Sequence, residues 1–405
     1  MVTKMSQRLL DEIGRDTLVS LAQELIRIPS AVKGIDEGRE LEMANFIAQR
    51  LENSGFKVTL QEPREGRPNV IATLRGTGGG CSLMLNGHLD TVETEGMTVE
   101  PLTGKVKDGE LYGRGSVDMK GALAAFILIG ETVQRLGVEL KGDLIISGCV
   151  DEEGRAIGSQ AMAKSLSGID AAIVGEATGM KIGTAHKGLT FITLRTHGKA
   201  THGSSPQHGI NAIMAMNQVL TAFDDELPKR FEERRHPTLG PPTYNVGVIR
   251  GGYRANVVPD RCEVEIDRRM VPGETVQSVL GETEAILGRL RQQDPTLKVE
   301  ADVLDWVKAL PMEVSKDEPV IRCISKSLRN IGKEPELTTL PYWTDASSFV
   351  NLAHIPAVVF GPGDISQAHS ATEHIDIEEL YTYAKVTALT ALNFCNREKP
   401  HNPPE

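Results

Sequence analysis

The chain has 405 residues and a formal net charge of −11, with 40% hydrophobic, 24% charged and 4% aromatic residues. This length exceeds what one hydrophobic core usually serves, so two domains are expected in an ordinary globular protein. The acidic balance and the few aromatic residues argue against nucleic-acid binding, because that function needs a basic surface and stacking platforms.

The cysteines and the apolar runs of the sequence indicate where in the cell the protein is located. Five cysteines are widely spaced and form no Cys-x-x-Cys pair, which predicts reduced core residues and neither a disulfide framework nor a thiolate metal site. The longest uncharged apolar run, residues 121–130, is too short to span a bilayer, and the first residues lack the apolar segment of a signal peptide. We therefore expect a cytoplasmic protein that does not bind a membrane.

The N-terminal part of the chain predicts helix followed by strands. Residues 16–54 carry helical periodicity, and Gly55 stands where a helix C-cap glycine belongs. Residues 70–74 and 81–85 are strand-like and are joined across the glycine-rich residues 76–80. Because this glycine cluster precedes a strand and lacks a Lys-Ser/Thr pair, it does not predict a phosphate-binding loop.

The stretch from Leu83 to Val92 contains the first candidate ligands. An apolar run breaks at Gly87 and is followed by His88 and Asp90. These two side chains are expected at the carboxyl end of a buried strand, which is where open α/β sheets bind ligands. On its own, a His-x-Asp motif is equally typical of a capped turn with a satisfied imidazole.

Later stretches present His, Asp or Glu in the same way. They are residues 111–121, with Asp118 before an apolar helix at 122–136; residues 143–154, with Asp151, Glu152 and Glu153; residues 171–176, ending at Glu176; and residues 356–374, with His369. Asp118 taken alone is more typical of a helix N-cap. Three adjacent acids at a strand end repel one another, which favours a cation among them.

Together these stretches predict an α/β fold with a mixed, largely parallel sheet flanked by helices, whose strand ends converge at one edge. Imidazole and carboxylate ligands in that mixture suit two divalent metals, best two Zn²⁺, with Co²⁺ or Mn²⁺ as alternatives. A two-metal site needs a bridging carboxylate, and we assign Asp118 to this role.

The pattern changes between residues 188 and 308. Strand, helix, strand, strand, helix and strand follow one another, which predicts a small α+β domain inserted into the larger one. Residues 1–187 and 309–405 then form the metal-binding catalytic domain. In its last part, Ser315–Glu318 and Asp376–Glu379 resemble capping boxes that open helices ending near residues 330 and 393.

The order of these motifs resembles the M20-type binuclear zinc aminoacylase and exopeptidase family, which includes acetylornithine deacetylase, succinyl-diaminopimelate desuccinylase and the glutamate carboxypeptidases. The resemblance covers nearly the whole chain. It rests on Gly87–Asp90, Gly113–Gly121, Asp151–Glu153, Gly175–Thr178, and Ala368–His369 followed by Glu373.

The resemblance implies roles for the motif residues. It assigns five ligands to the two zinc ions: His88 and Glu176 to one, Glu153 and His369 to the other, and Asp118 to both. Asp90 would orient the His88 ring, as the neighbours of metal-bound histidines usually do. Glu152 would be the general base toward a hydroxide shared by the metals. The family also implies a cis peptide bond between Asp118 and Met119. His374 is the nearby alternative to His369, which the match to Glu373 favours.

For residues 188–308 the resemblance implies a lid that also forms a homodimer interface. His202 would reach the active site of the partner subunit and stabilise an oxyanion; the alternative is a turn residue before a helix. Asn256 and Arg269 would bind the carboxylate of the substrate, because a guanidinium holds a carboxylate through two hydrogen bonds. Arg268 is the alternative, since the strand register is open.

Two departures from the family pattern leave the acyl group open. Tyr342 and Trp343 precede the substrate-proximal Thr344 where small residues are common, and Ala122 replaces a frequent glycine. The implied activity is metal-dependent hydrolysis of the amide bond of a small N-acyl amino acid or dipeptide-like substrate. The alternatives are an N-carbamoyl or ureido amidohydrolase and, with less support, a non-catalytic binding relative.

Overall fold

The computed structural model describes residues 4–32, 38–303 and 309–399. Its α-helices are α1 Lys4–Glu12, α2 Arg15–Arg27, α3 Leu41–Asn53, α4 Lys120–Arg135, α5 Ile157–Ser165, α6 Ala212–Glu233, α7 Val276–Gln293, α8 Pro319–Asn330, α9 Ala346–Leu352 and α10 Ile377–Cys395. Its strands are β1 Lys57–Arg64, β2 Arg67–Leu74, β3 Leu83–His88, β4 Lys105–Lys107, β5 Glu110–Tyr112, β6 Leu144–Cys149, β7 Ala171–Val174, β8 Ile182–His186, β9 Gly188–His197, β10 Thr243–Gly251, β11 Arg261–Met270, β12 Lys298–Val303, β13 Met312–Glu313, β14 Leu337–Leu340, β15 Ala357–Val359 and β16 His374–Asp376.

The chain divides into two compact units. Unit 1 is Met1–Thr184, Glu313–Thr338 and Thr344–Glu405, and unit 2 is Ala185–Met312 and Thr339–Trp343. Each unit has its own hydrophobic core, as a chain of this length requires. The predicted domain boundary at residue 308 lies outside the described residues.

The main sheet is mixed, with a parallel centre. Within the described ranges it has nine strands in the order β1-β2-β6-β3-β7-β15-β8-β13, and β14 pairs with β8. The central strands β6, β3, β7 and β15 are parallel to one another. The pairs β1–β2, β2–β6 and β15–β8 are antiparallel. Every residue of β3, β6, β7 and β15 is buried, which explains their largely apolar sequences. The predicted largely parallel α/β sheet is confirmed.

Helices flank this sheet. The helix α4 packs on β3 and β6 and contacts α2, α3 and α10, and α5 packs with α9 and against β1, β2 and β6. The helical periodicity predicted over residues 16–54 belongs to two helices, α2 and α3, whose intervening residues 33–37 are outside the described ranges. Gly55 has the left-handed backbone expected after α3, with φ at +85°.

Unit 2 contains a four-stranded antiparallel sheet in the order β10-β11-β9-β12. Buried and less buried residues alternate along β11, because one sheet face packs on α6 and α7. The helix α6 extends to Glu233, because Leu227 and Phe231 continue its buried face.

Other local predictions are corrected. Residues 111–112 belong to a separate three-stranded sheet, β16-β5-β4, so Asp118 does not follow a strand of the main sheet. The helix α8 starts at Pro319 without a side-chain cap, so the predicted capping box at Ser315 is wrong. Asp376 caps α10 by accepting the N–H of Glu379 at 2.6 Å.

Across the ranges the structure describes, none of the helices combines the length and the apolar character that crossing a membrane requires.

Candidate active site

His88 ends β3, and its imidazole is 1% exposed. Its Nδ1 atom lies 2.9 Å from the backbone carbonyl of Asp90 and 3.7 Å from the Asp90 carboxylate. A carbonyl can only accept a hydrogen bond, so Nδ1 carries a proton and Nε2 is the ring atom that could bind a metal. Asp90 therefore orients His88 mainly through its backbone.

The carboxylate of Asp90 holds a different element. It accepts the backbone N–H of Glu152 at 3.2 Å and of Glu153 at 3.0 Å. These two residues follow β6, which is the parallel neighbour of β3, so both strand ends are joined at one edge of the sheet. The backbone of the acidic loop is thereby fixed against the His88 strand.

Asp118 lies in the turn before α4, and its carboxylate stands between two histidines. Oδ1 is 2.8 Å from His88 Nε2, and Oδ2 is 3.3 Å from His369 Nε2. The peptide bond from Asp118 to Met119 is cis, as the family resemblance implies. Glu373 holds this turn by accepting the N–H of Asp118 at 3.3 Å, and it pairs with Arg114 at 2.6 Å.

Two further carboxylates complete the cluster. Glu176 follows β7 and lies 3.5 Å from His88 Nε2. Glu153 lies 3.0 Å from His369 Nε2. His369 has a left-handed backbone at φ +60° and is about half exposed, so it forms the open side of the cluster.

These side chains form overlapping groups whose ligand atoms all lie within 4.8 Å of one another. Within the described residues the groups are His88, Asp118 and Glu176; Asp118, Glu153 and His369; and His88, Glu152 and Glu153. The first two share Asp118 and contain the residues assigned to each metal from the sequence. His374 is not part of the cluster, because its Nε2 lies 2.7 Å from Glu110.

The charges of the cluster are unbalanced. Burial raises the pKa of Glu152 well above its ordinary range, and Glu176 raises it further against the effect of His88. Burial likewise raises the pKa of Glu176, with a contribution from Asp118. Hydrogen bonds to Asp118 and Glu153 raise the pKa of His369 to about 10. The protein alone therefore compensates the negative charge by holding protons.

Asp118 responds in the opposite direction. Burial alone would raise its pKa, but hydrogen bonds from His369 and His88 outweigh burial and lower it. Asp118 is therefore the carboxylate that stays ionised between the two imidazoles. Four carboxylates and two imidazoles whose Nε2 atoms face them are a donor set that fits two divalent cations.

Two of the predicted residues in unit 2 lie side by side. His202 is exposed, and its Nδ1 accepts the backbone N–H of Ser204 at 3.2 Å. Its Nε2 therefore carries the proton of the neutral ring and is available as a donor. The backbone N–H of the next residue, Gly203, donates to the carbonyl of Asn256 at 2.8 Å, and Asn256 is exposed as well.

The strand register distinguishes the two arginines of β11. Arg268 is 2% exposed, pairs with Glu274 at 2.6 Å and lies over the Phe231 ring. Arg269 points to the opposite face and binds Asp267 through Nε at 2.9 Å and Nη2 at 2.8 Å. Only Arg269 is accessible, so Arg268 is the structural residue.

Thr344 is fully buried at the start of α9, where its Oγ1 accepts the N–H of Ala346 at 3.3 Å. In this structure its hydroxyl serves the helix terminus, and contact with a substrate stays a prediction.

Several buried charged residues around the site were not assigned from the sequence. Lys120 donates to the carbonyl of Ile28 at 2.8 Å, and burial lowers its pKa to about 7. Burial raises the pKa of Asp345 to about 6. Glu40 and Arg67 form a buried ion pair. In the sequence, each of these residues shows only as an isolated charge beside an apolar run. That pattern can indicate a buried charge, but it does not identify the residue with which the charge pairs.

Comparison with known proteins decides the family. The model of "Peptidase family M20/M25/M40" matches residues 84–393. The chain belongs to peptidase family M20. It is 33% identical over 396 residues to acetylornithine deacetylase of Proteus mirabilis, an alignment that covers 95% of this chain and 98% of the relative. The protein is thus a metal-dependent amidohydrolase, and the resemblance seen in the motifs is confirmed.

Two more matches show the breadth of the M20 family. The chain is 28% identical over 414 residues to N-formyl-4-amino-5-aminomethyl-2-methylpyrimidine deformylase of Bacillus subtilis, covering 95% of this chain and 96% of the relative. A crystal structure of a tripeptidase from Staphylococcus aureus superposes with a TM-score of 0.79 at 21% identity, covering 95% of this chain and 100% of that one. The second match shows the fold alone.

Proposed function

We propose that this M20 protein is a binuclear deacylase that hydrolyses the amide bond of a small N-acyl amino acid, with N-acetyl-L-ornithine as the first candidate substrate. One observation carries the proposal. The Asp118 carboxylate lies between His88 at 2.8 Å and His369 at 3.3 Å, which is the arrangement that a ligand bridging two metals requires.

The proposed ligands follow from the overlapping groups. His88, Asp118 and Glu176 would hold one metal, and Asp118, Glu153 and His369 the other, with Zn²⁺ proposed and Co²⁺ or Mn²⁺ as alternatives. When bound, such ions lower the pKa of a water molecule and polarise the carbonyl of the substrate.

Glu152 is the proposed general base. It belongs to the same cluster, and burial raises its pKa, which is the direction that makes a carboxylate a stronger base. It would accept a proton from the attacking water and deliver that proton to the leaving amine. Asp90 supports this role because it holds the backbone N–H of Glu152 in place.

His202 is the proposed oxyanion donor, because its exposed Nε2–H is free to donate. Asn256 and Arg269 are proposed to bind the carboxylate of the substrate, and Thr344 to lie near it. Arg269 would exchange its bond to Asp267 for that carboxylate.

Unit 2 is proposed to serve as the lid and to form a homodimer. The strand β10 lies at the edge of its sheet and exposes Val246 and Ile249, and α6 exposes Ile213 and Met214. An uncovered edge with apolar side chains favours pairing with a second copy. The five cysteines, all within the described ranges, are free thiols, which supports the proposed cytoplasmic location.

A substrate panel tests the proposal. Purified protein with Zn²⁺, Co²⁺ or Mn²⁺ is assayed on N-acetyl-L-ornithine, other N-acetyl and N-succinyl amino acids, and dipeptides. The expected result is the highest kcat/KM on an N-acyl amino acid. Preference for a dipeptide would replace deacylase by peptidase, and the absence of turnover on all of them would contradict the proposal.

Two other substrate classes are included in the panel. The 28% identity to the deformylase favours an N-formyl aminopyrimidine as the second candidate, and turnover would release formate. An N-carbamoyl amino acid tests the ureido alternative, because its hydrolysis releases carbon dioxide and ammonia.

A further inference from the structure

The acidic loop after β6 is anchored by a group of buried charges that the proposed mechanism does not use. Asp151 directly precedes Glu152 and has a left-handed backbone with φ at +67°. Its carboxylate accepts the N–H of Arg155 at 2.9 Å, and its own N–H donates to Glu40 Oε1 at 3.2 Å. The first residue of the loop is therefore fixed through both its backbone and its side chain.

Arg67 connects these groups. Its Nε donates to Glu40 Oε2 at 3.0 Å, its Nη2 binds the other oxygen of Glu40, and its Nη1 lies 2.7 Å from Asp151 Oδ1. Arg67 is 4% exposed, and Glu40 and Asp151 are fully buried. Gly38 covers the pair so closely that a Cβ atom there would lie 2.2 Å from Arg67 Nε.

The three residues come from separate parts of unit 1. Glu40 stands immediately before α3, Arg67 begins β2, and Asp151 follows β6. One guanidinium thus joins three elements, because its Nε–Nη2 edge pairs with both oxygens of Glu40 while its Nη1 lies beside Asp151. The single ammonium group of a lysine could not bind Glu40 in this bidentate way. The backbone geometry of the acidic loop therefore depends on the planar guanidinium of Arg67, whose several N–H groups we call the fork.

Stability alone does not explain such a cluster. Burying three charges costs desolvation energy, and apolar residues of similar volume often stabilise a protein as well or better. The position of the cluster indicates a functional role, because Glu152, the proposed base, directly follows Asp151. Asp90 holds the loop through the N–H of Glu152 and Glu153, while Arg67 holds it through Asp151.

We propose that Arg67, together with Glu40, is a positioning residue for the general base Glu152 and acts through Asp151. This inference rests on the proposed function of Glu152. Among the contacts described for Arg67, the partners are Glu40 and Asp151, and neither is a proposed metal ligand. Its effect is to fix the backbone of Asp151, so that the Glu152 carboxylate starts from a constant place beside Glu176 and His88.

The test is a double-mutant cycle in the full-length, metal-loaded protein. Arg67→Lys keeps the charge but removes the fork, and Glu40→Gln is a second, nearly isosteric variant in case the first folds poorly. Each is made alone and together with Glu152→Gln. Arg75→Lys, at an exposed ion pair with Asp143, is the matched control.

We expect Arg67→Lys and Glu40→Gln each to lower kcat by about 10-fold to 100-fold, with KM changed by less than about threefold and two metals retained per chain. In the Glu152→Gln background the same substitutions should lower the residual kcat by less than about threefold, because the group they position is already absent. Arg75→Lys should behave as the unmodified protein. A crystal structure of Arg67→Lys should show the Glu152 carboxylate displaced.

Other outcomes contradict the inference in distinct ways. An equal loss in both backgrounds, a loss fully explained by missing metal, or an undisplaced Glu152 would show that Arg67 is structural only. If Glu152→Gln itself were fully active, the proposed base would be wrong, and the inference would fail with it. The single variant Glu152→Gln therefore separates the two failures.

Discussion

The metal cluster of unit 1 and the predicted substrate residues of unit 2 differ in how completely the chain fixes them. In unit 1, a buried partner holds each loop: Asp90 binds the N–H of Glu152, and Glu373 binds the N–H of Asp118. In unit 2, the hydrogen bonds described for the His202 side chain involve Ser204, two residues away, and the Arg269 side chain binds Asp267, also two residues away.

The difference follows from charge. Carboxylates brought within a few ångströms repel one another, so their positions must be fixed by hydrogen bonds before a cation arrives. A donor such as His202 or Arg269 can remain hydrated until a substrate replaces the water. We therefore expect substitutions in unit 1 to remove catalysis or metal, and substitutions in unit 2 to weaken steps that involve the substrate.

The largest effect is expected for Glu152→Gln. The substitution keeps the shape of the side chain but removes proton transfer, which should lower kcat by about 10³-fold while both metals remain. The measurements are steady-state kinetics and elemental analysis. Glu62→Gln, an exposed carboxylate on β1, is the control and should retain full activity. A metal-loaded Glu152→Gln with normal turnover would assign the base to another residue.

His202→Ala tests the contribution of unit 2. Loss of an oxyanion donor should lower kcat by about 10²-fold with metal content unchanged. The partner location can be tested in the same experiment. Mixing Glu152→Gln with His202→Ala under subunit exchange should raise the activity above the average of the two variants, because one mixed site then has both groups. Mixtures that show no such increase after confirmed exchange would place His202 outside the partner's site.

Glu373→Gln should lower the affinity for metal and leave the proposed base Glu152 unchanged. It weakens the hold on the turn of Asp118 and leaves Arg114 without its full ionic partner, so metal affinity should fall by about 10-fold to 100-fold. Activity should return at high metal concentration, as a titration would show. An activity loss that no metal concentration restores would assign Glu373 a role other than holding the Asp118 turn.

The sequence predicted the parts of the site that are local. His88, Glu153 and Glu176 each follow an apolar run that becomes a buried strand, and the parallel order of those strands brings their ends together. The position of Asp118 was predicted from its motif, although the strand expected before it belongs to another sheet.

The supporting contacts could not be predicted, because they join residues distant in the chain. Arg67 meets Asp151 across 84 positions, and Arg114 meets Glu373 across 259. No periodicity indicates such a pair. The choice between Arg268 and Arg269 also required the strand register, since a shift of one residue exchanges the two sheet faces.

The smallest expected effect is the pH dependence of stability in the metal-free protein. It should depend on the metal cluster of unit 1 and not on His202 of unit 2. In the metal-free protein the pKa of His369 is raised from 6.5 to about 10 by Asp118 and Glu153. A raised histidine pKa stabilises the folded state fully below pH 6.5, and this contribution is lost as the pH rises toward 10. The raised pKa values of Glu152 and Glu176 act in the same direction, because these groups ionise more readily in the unfolded chain.

The metal-free protein should therefore lose stability between pH 6.5 and 9, while metal binding becomes more favourable as protons leave His369. We expect the increase in Tm on adding buffered Zn²⁺ to be larger at pH 9 than at pH 6.5 by about 5 °C. Thermal unfolding with chelator and with metal at each pH measures this difference. The variant His202→Ala should show the same pH dependence, because its imidazole is outside the cluster. An increase that is independent of pH would mean that the imidazole of His369 carries no proton for the metal to displace.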